Sequence, residues 1–262
     1  MSDPLDLKKK LVQKELTIGS WLSWGFSPTT EVMARAGFEW LVIDMEHTAI
    51  DYAEAHQMIQ IIELAGCVPL VRVGHNDALI IKRVLDSGAA GIIVPMVNSA
   101  EEAQRAVSSA YYPPGGDRGV GLARAQGYGM AFSEYRERAM EETIVMVQIE
   151  HIRGVESLEA ILSVDGVDGF IVGPYDLSGS VNQPGNFDHP DVRNALHRVQ
   201  EIMNASSKPG GFHVVHTRQD ELKKRIKEGY RFIAYGDDMV MFAQKVKDET
   251  ETVKSVPKDF RP

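Results

Sequence analysis

The chain has 262 residues, 44% hydrophobic and 25% charged, which is enough for one large α/β domain or two small ones. Its formal net charge of -9 disfavours nucleic acid and anionic membranes as partners, because both present negative phosphates. The single cysteine, Cys67, excludes an internal disulfide, and the lack of a signal-peptide or membrane-spanning run predicts a protein of the cytoplasm.

Short β-branched runs alternate with amphipathic segments along the chain. A helix is predicted at 6–15, and eight strands are predicted at 17–23, 40–45, 69–73, 91–97, 144–150, 169–173, 210–215 and 231–236. Several of the helical patterns between these strands stop at a glycine, which favours the left-handed end of a helix: Gly37, Gly66, Gly88 and Gly229. Because no linker divides the chain, we predict one (β/α)8 TIM barrel over residues 1–262, with the leading helix covering its bottom.

The fifth and sixth predicted strands each end in a carboxylate, Glu150 and Asp176. One helical crossover joins the two strands, so they run parallel and bring both carboxylates to one edge of the sheet. Buried carboxylates need a cation or hydrogen bonds, which makes Glu150 and Asp176 candidate ligands of Mg²⁺, Mn²⁺ or Co²⁺. Spacing alone leaves the alternative that Glu150 pairs with an arginine and Asp176 caps a helix.

Two earlier strands end in groups suited to acid–base and anion chemistry. Asp44 and His47 follow the second strand, and a carboxylate that orients an imidazole leaves its other nitrogen free to move a proton. Arg72 ends the third strand, where a guanidinium can stabilise an enolate. An ion pair of Arg72 with Asp44 or Glu46 is the alternative.

Other strand ends supply candidate substrate contacts. Gln148 shares a face of its strand with Glu150, and is either a substrate ligand or an amide of the barrel interior. Trp21 on the first strand either walls the pocket or belongs to the core. The backbone amides around residues 173–176 are natural donors to a substrate carboxylate.

A glycine-rich insertion at residues 111–129 interrupts the alternation after the fourth helix of the barrel. Long loops in compact domains are usually functional, so its Arg118 and Arg124 are candidates for binding the aldehyde end of an anionic substrate; the alternative is that both are solvated, as loop arginines usually are. The lysines fall on predicted helices, in the tails or, as Lys208, before the seventh strand, which disfavours a Schiff-base enzyme. A glycine-rich phosphate cradle is also missing, which argues against phosphorylated sugars as substrates.

The motifs AGFEWLVIDMEH, PLVRVGHND, PMVNSAEEA, YPPGGDRGVG, VQIE and VDGFIVGPYDLS, followed by FDHPDV, span nearly the whole chain. Together they resemble the class II pyruvate aldolases of the HpcH/HpaI family, whose members split 4-hydroxy-2-oxoheptane-1,7-dioate, 2-dehydro-3-deoxyglucarate and related 2-oxo acids. The resemblance implies a TIM barrel, usually a hexamer with its last helix exchanged between neighbouring subunits.

The resemblance also implies an activity: divalent-metal-dependent, reversible retro-aldol cleavage of a 4-hydroxy-2-oxo acid to pyruvate and an aldehyde through a metal-bound pyruvate enolate. By this resemblance Glu150 and Asp176 hold the metal and Arg72 stabilises the enolate. His47 with Asp44 would then help a metal-bound water or hydroxide to deprotonate the 4-hydroxyl group.

Two positions depart from the better-known members. Tyr175 stands where they carry a small residue between Pro174 and Asp176, and His213 stands where they have an aliphatic residue. We therefore count Gly173, Pro174, Tyr175 and His213 among the substrate-contacting residues and expect a different aldehyde. Two other functions stay open: an acyl-CoA thioester lyase of the citramalyl/malyl-CoA type, which needs a basic groove, and a non-catalytic barrel that binds a 2-oxo acid.

Overall fold

The computed structural model of the chain describes residues 3–256. Eight parallel strands follow one another in chain order around a closed barrel, and the eighth pairs with the first. The strands are β1 (Thr17–Leu22), β2 (Trp40–Asp44), β3 (Val68–Arg72), β4 (Gly91–Val94), β5 (Ile144–Ile149), β6 (Gly169–Val172), β7 (Gly210–Val214) and β8 (Phe232–Asp237). The predicted fold is confirmed, and each predicted strand overlaps an observed one.

Helices surround the barrel and cover one of its ends. They are α1 (Pro4–Val12), α2 (Ser27–Arg35), α3 (Tyr52–Leu64), α4 (Ala78–Asp86), α5 (Ala100–Ala110), α6 (Phe132–Glu142), α7 (Ile152–Glu156), α8 (Leu158–Leu162), α9 (Pro174–Ser180), α10 (Pro190–Ala205), α11 (Gln219–Lys227) and α12 (Asp238–Ser255). None of the helices in the described part of the chain combines the length and apolar character needed to cross a bilayer.

Helix ends follow the predicted backbone chemistry. Gly37, Gly66, Gly88 and Gly229 have φ of 100°, 79°, 101° and 102°, the left-handed conformation that glycine adopts without a steric penalty. The helix α6 was not predicted, and Ala139 is its only buried residue. The helix α9 was suggested only by the alternative that Asp176 caps a helix; Asp176 lies in its first turn and makes no capping hydrogen bond.

The lower half of the barrel is filled by aromatic and aliphatic side chains. Trp40 stacks on Phe232 with 3.9 Å between ring centroids. A Cβ at Gly19 would lie 2.1 Å from the Trp40 ring, so only glycine leaves room for this indole. Leu7 and Leu11 of α1 are buried in the same interior cluster, which confirms that the first helix covers the bottom of the barrel.

The insertion after α5 lies at the bottom of the barrel and not at its catalytic end. It leads from the end of a helix to the start of β5, and such connections return to the amino ends of the strands. Arg118 is buried and donates to Asp86 Oδ1 at 2.7 Å, while Arg124 pairs with Glu63. The prediction that these two arginines reach the substrate is therefore wrong within one chain.

Candidate active site

A cavity of about 200 Å³ opens where the strands end, at the mouth of the barrel. It brings together nine of the residues predicted to form the site: Trp21, His47, Arg72, Gln148, Gly173, Pro174, Tyr175, Asp176 and His213. A larger cavity of about 590 Å³ lies between the insertion and the strand starts. Its arginines, Arg124 and Arg138, are already paired with Glu63 and Glu142, so the smaller cavity is the better candidate for chemistry.

Glu150 is buried directly after β5, with its carboxylate held from two sides. Oε1 accepts the Met96 N–H at 2.6 Å, and Oε2 accepts a hydrogen bond from the Gln148 amide. Met96 has a φ of 54°, a conformation that is uncommon for a side-chain-bearing residue and that turns up near functional sites. Burial raises the pKa of Glu150, and the negative charge of Asp176 raises it further.

Asp176 lies in the first turn of α9, and its side chain is exposed. It has no hydrogen bond or ion pair with any residue between 3 and 256. Gly173 precedes this helix, and a Cβ there would lie 2.8 Å from Glu150 Oε2. The glycine therefore allows β6 and the start of α9 to approach the Glu150 carboxylate closely.

Arg72 is held by two carboxylates of the β2 end. Its Nε and Nη2 donate to Asp44 Oδ1 at 2.9 Å and Asp44 Oδ2 at 2.6 Å, and Nη1 lies 3.1 Å from Glu46 Oε2. The guanidinium also stacks on the Trp21 ring, 4.4 Å from its centroid. The ion pairs left open by the sequence are thus present, and they hold Arg72 at the wall of the cavity.

The predicted contact between Asp44 and the imidazole of His47 is absent from the structure. Asp44 Oδ1 accepts the backbone N–H groups of Glu46 and His47, and the other hydrogen bonds to the carboxylate are donated by Arg72. The His47 ring is 59% exposed, and its Nε2 lies 3.7 Å from Glu46 Oε2. Asp44 therefore positions the arginine and the turn that carries His47, while Glu46 is the carboxylate beside the imidazole.

Glu46 is a site residue that the sequence suggested only as a partner of Arg72. Burial raises its pKa to about 7, and the charges of Glu150, Asp44 and Asp176 add to this effect. Its Oε2 is buried and accepts no well-aligned hydrogen bond from the described residues, although Arg72 Nη1 lies 3.1 Å away. Its spacing of two from Asp44 was the available signal, since alternate residues of an extended chain point to the same side.

Two aromatic contacts shape the remaining walls. Trp21 is buried and also lines the cavity, so it belongs to the core and walls the pocket as well. The centroid of its ring lies 5.3 Å from that of His213. Tyr175 is 48% exposed at the rim and packs edge-on against Phe187 at 5.0 Å. The two residues that depart from the family pattern therefore both line the cavity.

The charges at this mouth fit a bound cation. Asp44, Glu46, Glu150 and Asp176 are close enough to interact electrostatically, and Arg72 is the one arginine or lysine lining the cavity among residues 3–256. Arg72 pairs with Asp44 and Glu46, which leaves Glu150 and Asp176 without a cation. Their hard oxygens suit Mg²⁺, Mn²⁺ or Co²⁺. Within the described residues no three His, Cys, Asp or Glu side chains converge to hold an ion.

Comparison with known proteins identifies the family of the chain. Residues 18–244 match the family HpcH/HpaI aldolase/citrate lyase. The 5-keto-4-deoxy-D-glucarate aldolase of Escherichia coli is 34% identical over 252 residues, covering 96% of this chain and 97% of that protein.

Two solved structures are similar over almost their whole length. An HpcH/HpaI aldolase/citrate lyase family protein from Burkholderia cenocepacia J2315 has a TM-score of 0.90 and 33% identity, covering 95% of this chain and 99% of the other. The HpcH/HpaI aldolase from Desulfitobacterium hafniense DCB-2 has a TM-score of 0.88 and 30% identity, covering 98% and 99%. The chain therefore belongs to the HpcH/HpaI aldolase/citrate lyase family.

Proposed function

We propose that this carbon–carbon lyase reversibly cleaves a 4-hydroxy-2-oxo acid to pyruvate and an aldehyde with the help of a divalent cation. The observation that carries the proposal is the pair Glu150 and Asp176, left without a cation near Arg72, which lines the cavity together with Asp176. A cation held there supplies positive charge that stabilises the developing oxyanion of the 2-oxo group.

The chain's own groups orient the pyruvyl half of the substrate. Arg72 donates toward the 2-oxo oxygen while Asp44 and Glu46 fix the plane of its guanidinium. The Gln148 amide lies beside the Glu150 carboxylate and lines the cavity, so it is a second donor. The substrate carboxylate lies at the start of α9, where the N–H groups of Tyr175 and Asp176 have no partners within the helix.

His47 moves the proton of the 4-hydroxyl group. Its ring lines the cavity and is exposed enough to exchange a proton with water, and Glu46 lies beside its Nε2. Deprotonation of the hydroxyl drives cleavage of the neighbouring carbon–carbon bond, and the pyruvyl half takes the resulting charge. Asp44 contributes indirectly, through Arg72 and the turn that carries His47.

Pyruvate release from a panel of 4-hydroxy-2-oxo acids tests the proposal. Chelator-stripped enzyme is coupled to lactate dehydrogenase, with and without Mn²⁺, Mg²⁺ or Co²⁺. We expect release only with metal. Metal-independent release would contradict the roles of Glu150 and Asp176, and turnover of acyl-CoA thioesters alone would favour the CoA lyase. The CoA lyase needs a basic groove for the nucleotide. Arg118 and Arg124, the candidates for such a groove, are paired with carboxylates at the other end of the barrel.

Gly173→Ala should weaken metal binding and lower kcat/KM by about tenfold or more. The new Cβ would lie 2.8 Å from Glu150 Oε2, so the carboxylate has to move. Titration calorimetry with Mn²⁺ and the pyruvate assay measure the two effects. Gly179→Ala is the matched control in the same helix, since a Cβ there meets nothing within 4 Å. Equal behaviour of the two variants would mean that Gly173 has no special role beside the metal pair.

We also propose that the protein is a homo-oligomer, a hexamer by its family resemblance, in which α12 packs against a second copy. Met239, Phe242 and Val246 form one stripe along α12 and are 44%, 59% and 47% exposed. Phe242→Asp should therefore lower the mass measured by light scattering. Gln244→Asp, on the other side of the helix, should leave it unchanged, and an unaltered mass in both variants would remove α12 from the interface.

A further inference from the structure

His213 on β7 has a fixed tautomer. Its Nε2 lies 3.0 Å from the carbonyl oxygen of Gly236. A carbonyl oxygen can only accept a hydrogen bond, so Nε2 carries the proton and donates. In a neutral imidazole the other nitrogen, Nδ1, is then a lone-pair acceptor.

The ring remains neutral at ordinary pH. Burial lowers the pKa of His213 to about 4, and the positive charge of Arg72 acts in the same direction. Nδ1 receives no hydrogen bond from any described residue, although the ring lines the cavity beside Trp21. The β7 side of the cavity wall thus carries an unused acceptor with a defined tautomer.

Among residues 3–256, the same cavity has no second arginine or lysine to pair with a second substrate carboxylate. Arg72 is its one arginine or lysine within residues 3–256, and this side chain is already paired with Asp44 and Glu46. A buried acceptor gains from a hydroxyl donor and is left unsatisfied by an alkyl group of the same size. Val215 and Ile171, whose side chains are apolar, also line the cavity.

We propose that His213 Nδ1 accepts a hydrogen bond from a hydroxyl group on the aldehyde half of the substrate, so that the enzyme favours neutral hydroxyaldehydes over alkyl or carboxylated aldehydes. The proposal rests on the proposed aldolase function and adds its substrate class. His213 is thereby a specificity-determining residue.

The test uses the aldol addition of pyruvate to glycolaldehyde, to its isostere propanal and to succinic semialdehyde, in metal-loaded enzyme. We expect the ratio of kcat/KM for glycolaldehyde over propanal to fall by about tenfold in His213→Leu. His213→Gln should retain most of the ratio, because its amide can donate to Gly236 and still present an acceptor. Phe212→Leu, which alters a contact of β7 with Tyr230, is the control and should keep the wild-type ratio.

Deuterium exchange into the methyl group of pyruvate, measured in wild-type enzyme without aldehyde, tests the aldolase function separately. Exchange together with an unchanged ratio in His213→Leu would overturn the inference alone. Wild-type preference for propanal or succinic semialdehyde over glycolaldehyde would overturn it as well. Absence of both exchange and turnover would overturn the proposed function, and the inference with it.

Discussion

Arg72→Ala should lower kcat by about 10² to 10³-fold, the usual cost of removing one donor from a developing oxyanion. The divalent ion should still bind, because Glu150 and Asp176 are untouched and the nearby positive charge has been removed. Steady-state kinetics and Mn²⁺ titration of the same preparation measure the two quantities. Retention of most of the activity would contradict the placement of Arg72 at the 2-oxo oxygen.

Loss of a buried ion pair complicates this variant, since Asp44 is left without its guanidinium. Such a loss costs about 3 to 5 kcal/mol of folding free energy. Arg118→Ala is the matched control, because Arg118 is a buried arginine paired with Asp86 at the opposite end of the barrel. We expect both variants to lower the melting temperature and only Arg72→Ala to lower kcat. A comparable loss of kcat in Arg118→Ala would mean that the lower kcat of Arg72→Ala results from destabilisation of the fold.

The order of strands and helices could be predicted because every strand of a parallel barrel is buried on both faces. The runs around Val42, Ile92 and Val147 are therefore continuously apolar and easily recognised. The ends of helices could also be predicted where a glycine adopts a left-handed conformation, as at Gly88. The helix α6 escaped prediction because it buries almost nothing, and burial is what produces an apolar period.

For the site, the sequence could predict which strand ends come together but not which side chains contact one another there. Topology brought Arg72, Glu150 and Asp176 to one mouth, as expected. The spacing of the residues did not predict which side chain Asp44 contacts. Asp44 could have faced His47, but it accepts two hydrogen bonds from Arg72. The insertion shows the same limit. Its arginines were expected at the mouth, although a connection from helix to strand ends at the opposite face.

Glu150→Gln should abolish measurable metal-dependent cleavage, with a loss of at least about 10³-fold in kcat/KM, because the site then keeps one anionic ligand instead of two. The Mn²⁺ dissociation constant should rise at least about 100-fold. The side chain keeps its shape, and its oxygen can still accept the Met96 N–H. Rotation of the Gln148 amide presents an oxygen to the new amide group, so the fold has no unsatisfied donor.

Stability should move in the opposite direction from activity. Burial and the charge of Asp176 disfavour the ionised form of Glu150, so the metal-free Glu150→Gln protein should melt no lower than metal-free wild type. Metal should raise the melting temperature of wild type and not of the variant. Asp168→Asn is the matched control. Asp168 is another buried carboxylate that accepts a backbone N–H, from Val145, but it pairs with Lys8 at the bottom of the barrel. The Asp168→Asn variant should lose stability because it leaves Lys8 without its carboxylate partner, and it should keep metal-dependent stabilisation. Metal-dependent stabilisation of Glu150→Gln equal to that of wild type would place the cation elsewhere.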